Sequence, residues 1–213
     1  MDVLYVALLF FSGSLMFSQW IGLLLHKDLT KLNDCNPGAT NLWQSAGAGW
    51  GLLGIFLDFM KGYLPLAILI WSGRLAGMIL VPAAIAPVLG HAFSPFLKFR
   101  GGKCKAVSFG VWSALSDFEL SITLAVSLAL LQLAITVFHI GKGRKIRTDA
   151  WTSVIGILML GVYILIRRFP TPYLIIWGLN LTISLFVNRT EMIHTFRSDR
   201  SNEITESGKE RLL

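Results

Sequence analysis

Apolar runs of span length, cut by short polar islands, dominate this chain. A helix needs about 20 consecutive apolar residues to cross a hydrocarbon layer about 30 Å thick, and several runs here reach that length. Charged residues make up 15% of the chain, against about 25% in ordinary soluble domains. With 54% hydrophobic residues and a mean hydropathy of +0.64, the sequence predicts a membrane-embedded protein. Its 213 residues suit one domain. Its seven Trp and fourteen Phe fit a helical bundle with aromatics at the membrane interfaces.

The formal net charge is +7 and the pI near 9.7. In a membrane chain the excess of Lys and Arg belongs to cytoplasmic loops, so no nucleic-acid partner is expected. The two cysteines, Cys35 and Cys104, both fall in polar islands. That excludes a structural disulfide framework, and two thiols make a poor metal site, so neither metal nor cofactor is expected. The first apolar run, 3–25, follows the acidic Asp2 and leads to no small-residue cleavage pattern. It reads as a retained first span and not a signal peptide.

Further spans are predicted over 45–71 and 75–96. The stretch 106–140 admits either one long helix or two shorter ones. Charge favours two, because the islands 98–105 and 141–147 are both basic and two crossings keep both on one side. The acidic turn Ser116-Asp117-Phe118-Glu119 then lies on the other side. Runs 151–166 and 173–187 complete the count. The expectation is an all-α integral membrane protein, a seven-span bundle in the cell inner membrane. Its N-terminus is outside, its signature loops and C-terminus are cytoplasmic, and a polar tail over 199–213 follows an embedded domain over 1–198.

Two islands read as phosphate cradles. In Asn36-Pro37-Gly38-Ala39-Thr40-Asn41, Pro37 fixes one backbone angle and Gly38 admits conformations other residues resist. Such turns aim consecutive N–H groups at one point, with Thr40 and Asn41 as side-chain donors. An ordinary turn with Asn41 capping a helix near Trp43 explains the same residues equally well. In Lys98-Phe99-Arg100-Gly101-Gly102-Lys103, paired glycines let backbone approach an anion, and the cations supply charge. Cytoplasmic loop charge accounts equally for Lys98, Arg100 and Lys105, and less well for Lys103 behind its glycines. His91 reads as a satisfied core histidine. Asp58 and Lys61, three apart on one helix face, place charge inside a span, where ionisable groups are rare and commonly functional; a lysine snorkelling from a helix end is the alternative. Gly47-Ala48-Gly49-Trp50-Gly51 reads as a helix-packing surface. No nucleophile elbow, zinc helix or Walker lysine is present, so any catalysis rests on positioning and electrostatics.

In this order the blocks resemble the membrane-integral bacterial acyl-phosphate:glycerol-3-phosphate acyltransferases, the PlsY family. Gly13-Ser14-Leu15-Met16-Phe17 is similar to its G-S-I-P-F/W without the proline. Asn36 to Asn41 matches N-P-G-A-T-N. Leu57-Asp58-Phe59-Met60-Lys61-Gly62 is similar to L-D-x-x-K-G. Gly90-His91-Ala92-Phe93-Ser94-Pro95-Phe96-Leu97-Lys98-Phe99-Arg100-Gly101-Gly102-Lys103 is similar to G-H-x-F-P-x-F-L-K-F-x-G-G-K. The resemblance implies seven spans and transfer of an acyl group from acyl phosphate to glycerol 3-phosphate, giving lysophosphatidate and phosphate. It implies that Lys103, Asn41 and Thr40 serve catalysis. It also implies that Asn36, Gly38, Ala39, Lys61, Asp58, His91, Lys98, Gly101, Gly102 and Arg189 serve substrate binding, with membrane lipid as the setting.

The chain departs from the pattern in a definite way. Asp34 and Cys35 replace the family's Ser and Gly before N-P, and Cys104 replaces the glycine after G-G-K. The terminal H-R-x-N-I aligns with Asn188-Arg189-Thr190-Glu191-Met192, and S-L-x-S-I is hardly recognisable near Trp151-Thr152-Ser153-Val154-Ile155. The two new carboxylates disfavour an anionic acceptor. A divergent paralogue that is inactive or uses another acceptor is therefore the second expectation, and a small membrane transporter the third.

Overall fold

The computed structural model describes residues 2–139 and 149–210, with side chains over 2–137 and 150–193; the basic loop 141–147 lies outside it. All regular structure among the described residues is helical: α1 (Asp2–Ser14), α2 (Phe17–Leu24), α3 (Ala39–Ala46), α4 (Ala48–Trp71), α5 (Leu80–Ala92), α6 (Lys105–Ser116), α7 (Glu119–His139), α8 (Asp149–Ile166) and α9 (Thr171–Glu210). Among the described residues five segments are long and apolar enough to cross a membrane: Asp2–Leu24, Ala48–Trp71, Gly77–Leu97, Glu119–Val137 and Thr171–Ile193. The shorter α6 and α8 bring the number of apolar helical segments to seven. Of the expected tail, residues 199–210 continue α9, which runs to Glu210, and 211–213 lie outside the described residues.

The stretch 106–140 divides as charge requires, with Asp117 and Phe118 between α6 and α7 in left-handed conformations. At about 1.5 Å per residue α6 spans only some 18 Å. It tolerates this because protein surrounds it: Val107, Ser108 and every residue of Gly110–Leu115 are buried. Trp112 Nε1 donates to Asn180 Oδ1 at 3.2 Å, and Asn180 Nδ2 donates to Ser108 Oγ at 3.0 Å, tying α6 to α9. In contrast α7 exposes Ile122, Val126, Leu130, Leu133 and Val137, an apolar face suited to lipid.

Two reciprocal glycine contacts set the packing. A methyl group on Gly13 of α1 would lie 2.1 Å from Pro87 O of α5, and one on Gly90 would lie 2.1 Å from Phe10 O. The same arrangement joins α4 to α6, where a methyl on Gly62 would lie 2.6 Å from Val107 O and one on Gly110 would lie 2.2 Å from Phe59 O. Backbones approach this closely only where side chains are absent, a common device between membrane helices.

Two predicted spans are broken. The first, 3–25, stops at Leu15–Met16 although Met16 stands where the motif has proline. The break frees carbonyl oxygens that distant residues satisfy: Lys61 Nζ donates to Leu15 O and Ser94 Oγ to Ser14 O at 2.7 Å. The second, 45–71, is interrupted by Gly47 at φ 96°, so α3 is a separate short helix. Gly47 thus makes a turn, whereas Gly51 packs on Trp43, where a methyl would lie 2.5 Å from Cβ.

Candidate active site

The loop between α2 and α3 is built from its own polar side chains. Asp28 accepts from Gln19 Nε2 at 2.9 Å and Thr30 Oγ1 at 2.6 Å, and pairs with Lys31 at 3.0 Å. The hydrogen bonds from Thr30 and Gln19, then Lys31, hold its carboxyl well below the usual range. Asn41 does not cap a helix at Trp43. Gly38 precedes the first turn of α3, and Asn41, buried inside that turn, reaches back to the loop. Its Nδ2 faces Asp34 Oδ1 and Asn36 O, both at 2.8 Å, and Leu32 O at 3.2 Å. Its Oδ1 accepts from Asn33 Nδ2 at 3.2 Å. The amide predicted to greet a ligand is therefore committed to fixing residues 32–36. Thr40 remains exposed at the start of α3.

Lys103 is the point of convergence. Its Nζ lies 2.6 Å from Asp34 Oδ2 and also contacts Glu191 Oε2, so one ammonium joins the first polar loop to α9. Lys103 side-chain exposure is 21%, Asp34's 21% and Glu191's 13%, low enough for the charges to feel one another strongly. Burial opposes the charged form of Asp34, but the Lys103 ammonium and the Asn41 amide outweigh it and keep its pKa below the ordinary carboxylate value. Burial likewise opposes the Lys103 charge, and the hydrogen bonds from its ammonium to Asp34 and Glu191 raise its pKa nonetheless.

Beside Lys103 a narrow pocket opens between α6, α7, α8 and α9. Lys103, Lys105, Ser108, Ser153, Asn180 and Ser184 supply polar lining; Phe109, Leu124, Leu128 and Ile157 supply apolar lining. A lysine at the edge of a mostly apolar space suits a molecule with an anionic head and a hydrocarbon tail.

The family model for glycerol-3-phosphate acyltransferase matches residues 3–198. The chain belongs to that family. Similar relatives include glycerol-3-phosphate acyltransferase 1 of Thermotoga maritima, 34% identical over 88% of this chain and 94% of its own length. The glycerol-3-phosphate acyltransferase of Thermosipho melanesiensis is 34% identical over 72% and 80% respectively. Among solved structures, PlsY (YgiH), an integral membrane glycerol 3-phosphate acyltransferase, superposes with a TM-score of 0.80 in its glycerol 3-phosphate form and 0.78 in its lysophosphatidic acid form. Each is 24% identical over 92% of both chains, and shares the fold of this chain.

The remaining expected site residues divide between those near Lys103 and those used elsewhere. Gly38 and Ala39 begin α3, next to the loop that Asp34 and Asn36 occupy. Asn36 Oδ1 is buried without a partner. Gly101 and Gly102 do not open backbone toward an anion. They pack on the end of α5, where Gly101 N donates to Ala92 O at 3.0 Å and Gly102 N to His91 O at 3.1 Å. His91 is buried with Nδ1 unpartnered, so the expected satisfied histidine is only half correct. Asp58 and Lys61 neutralise one another at 2.7 Å, with side chains 4% and 1% exposed, and Ser18 Oγ donates to Asp58 Oδ2 at 3.0 Å. They join α4 to the break between α1 and α2 and do not line the cavity; nor does Lys61 snorkel. Lys98 is exposed, and Arg189 lies over its own helix, 3.9 Å from the centre of the Phe186 ring. Ser108, Asn180 and Ser184 escaped the sequence reading, because single small polar residues in apolar helices carry no local signature.

Proposed function

We propose that the chain transfers an acyl group from acyl phosphate to the sn-1 hydroxyl of glycerol 3-phosphate, releasing lysophosphatidate and inorganic phosphate. The observation that carries this reading is Lys103 at the edge of a mostly apolar pocket. The hydroxyl oxygen attacks the acyl carbonyl carbon, the bond from that carbon to the phosphate oxygen breaks, and the departing phosphate takes up the hydroxyl proton. No protein nucleophile is required. Lys103 offsets phosphate charge as the leaving group separates. The open first turn of α3, from Ala39 with the Thr40 hydroxyl, offers N–H donors to the same charge, and Asn41 holds the loop that shapes it. The aliphatic residues Leu124, Leu128 and Ile157 suit the acyl chain.

The reading carries a membrane placement: an embedded unit over 1–198 with a cytoplasmic tail over 199–213, in the cell inner membrane, N-terminus outside. The basic islands beside the spans support it. Two carboxylates on Lys103 favour one second reading, in which the fold is retained and the acceptor is not an anion.

The test uses purified protein in detergent or lipid mesophase with palmitoyl phosphate and glycerol 3-phosphate, following phosphate and lysophosphatidate together. Equal appearance of both is expected. Folded protein that forms neither, or releases phosphate without lipid, overturns the reading.

A further inference from the structure

The feature the reaction leaves unexplained is the carboxylate pair. An ammonium offers three donors, and Lys103 directs contacts to Asp34 on one side and Glu191 on the other. The three groups sum to one negative charge. Asp34 is also held by Asn41 Nδ2 at 2.8 Å and by Asn36 N at 3.3 Å, so its carboxylate is fixed by the loop as well as by the lysine. Glu191 arrives from α9, a different wall of the site. Both positions carry neutral side chains in the motif pattern, Ser and Asn. An arriving phosphate meets an ammonium whose nearest anions already belong to the chain.

We propose that Asp34 and Glu191 are specificity-determining residues that act through Lys103 as a built-in competitor for its anionic ligand. In the resting chain their carboxylates occupy the space around Nζ that a phosphate needs, and a phosphate binds by displacing at least one of them. Binding therefore exchanges one anion for another. A dianion competes better than a monoanion, and an acceptor without a phosphate gains nothing at this position. The proposal rests on reading Lys103 as a phosphate receptor.

Removing either negative charge should tighten phosphate and leave the chemical step largely alone. Asp34→Asn and Glu191→Gln keep shape while removing charge, and Asp34→Ser is the second variant should Asp34→Asn disturb the loop. Full-length protein in detergent is titrated calorimetrically with inorganic phosphate, and turnover is measured with palmitoyl phosphate and varied glycerol 3-phosphate. Each single variant is expected to bind phosphate about tenfold more tightly and to lower KM by a similar factor, with kcat changed much less. Added salt should narrow the difference, and Lys103→Met placed on either variant should erase it. Folded variants whose phosphate affinity is unchanged or weaker overturn the proposal. Tighter phosphate binding with no lysophosphatidate from any form would sink the acyl-transfer reading and leave the competitor standing. Product formation with unaltered phosphate affinity would do the reverse.

Discussion

Replacing Asp58 by Asn tests whether the ion pair inside the bundle is structural. Asp58 Oδ1 and Lys61 Nζ are 2.7 Å apart, and almost nothing of either side chain is exposed. The substitution keeps the volume and a hydrogen-bonding group beside Ser18, but it leaves the Lys61 ammonium with the Leu15 carbonyl and no counter-charge. Breaking a buried pair in this way costs about 3–5 kcal/mol. At about 2–4 °C per kcal/mol for a chain of this size, the melting temperature should fall by about 6–20 °C. The assay is thermal unfolding in one detergent for wild type, Asp58→Asn, Lys61→Met and the double variant Asp58→Asn/Lys61→Met. The double variant removes both charges at once, so it should be more stable than the sum of the single losses predicts, with a coupling of at least about 1 kcal/mol. Well below its melting temperature, Asp58→Asn should keep the KM for glycerol 3-phosphate within about twofold of wild type. A single variant losing under about 1 kcal/mol, or a large KM rise in folded protein, would refute the structural assignment and return the pair to substrate binding.

Other perturbations probe separate features. Cys35 is exposed and adopts φ 58° where the motif has glycine. Relief of that strain in Cys35→Gly should stabilise the chain by about 1 kcal/mol, read as a melting temperature about 2–4 °C higher; an unchanged or lower value contradicts it. Gly101→Ala would put a methyl 1.8 Å from His91 O, so extraction in folded form should drop sharply while Lys98→Ala extracts normally. Lys103→Met should lower kcat/KM by at least about 100-fold in protein that still folds, and near-normal turnover would remove Lys103 from the reaction. The raised pKa of Lys103 has a defined sign: its stabilisation is complete below the ordinary lysine value of 10.5 and disappears as pH rises through the higher folded value. An alkaline fall in melting temperature should consequently be smaller in Lys103→Met than in wild type.

Much of the architecture was legible because charge and apolar length act locally along the chain. The division of 106–140 followed from two basic islands and one acidic turn, and the structure has α6 and α7 on either side of Asp117. Asp34 and Glu191 stood out as misplaced negative charges, and they meet at Lys103. The breaks at Leu15–Met16 and Gly47 were invisible for a physical reason. Hydropathy does not register backbone direction, and the groups that satisfy the first break, Lys61 and Ser94, are far away in sequence. Gly101 and Gly102 show the opposite error. Their neighbours suggest an anion, whereas the backbone of His91 and Ala92 crowds Gly101 and the His91 ring crowds Gly102, leaving no room for side chains. Asn41 stands out in the sequence as important, but its side chain points the other way, since its partners precede it: the carbonyls of Leu32 and Asn36 and the side chains of Asn33 and Asp34.

The contacts of Lys103 also bear on how the chain is made. One partner is 69 positions before it and the other 88 positions after it. During synthesis the first polar loop and Lys103 emerge well before α9, so the lysine meets Asp34 alone while the last span is still being translated. The site reaches its final electrostatic state only once α9 has inserted and brought Glu191 home. A nascent chain halted before α9 therefore holds Lys103 against one carboxylate, a pair of no net charge, and insertion of the last helix adds the second carboxylate and leaves the cluster with one net negative charge.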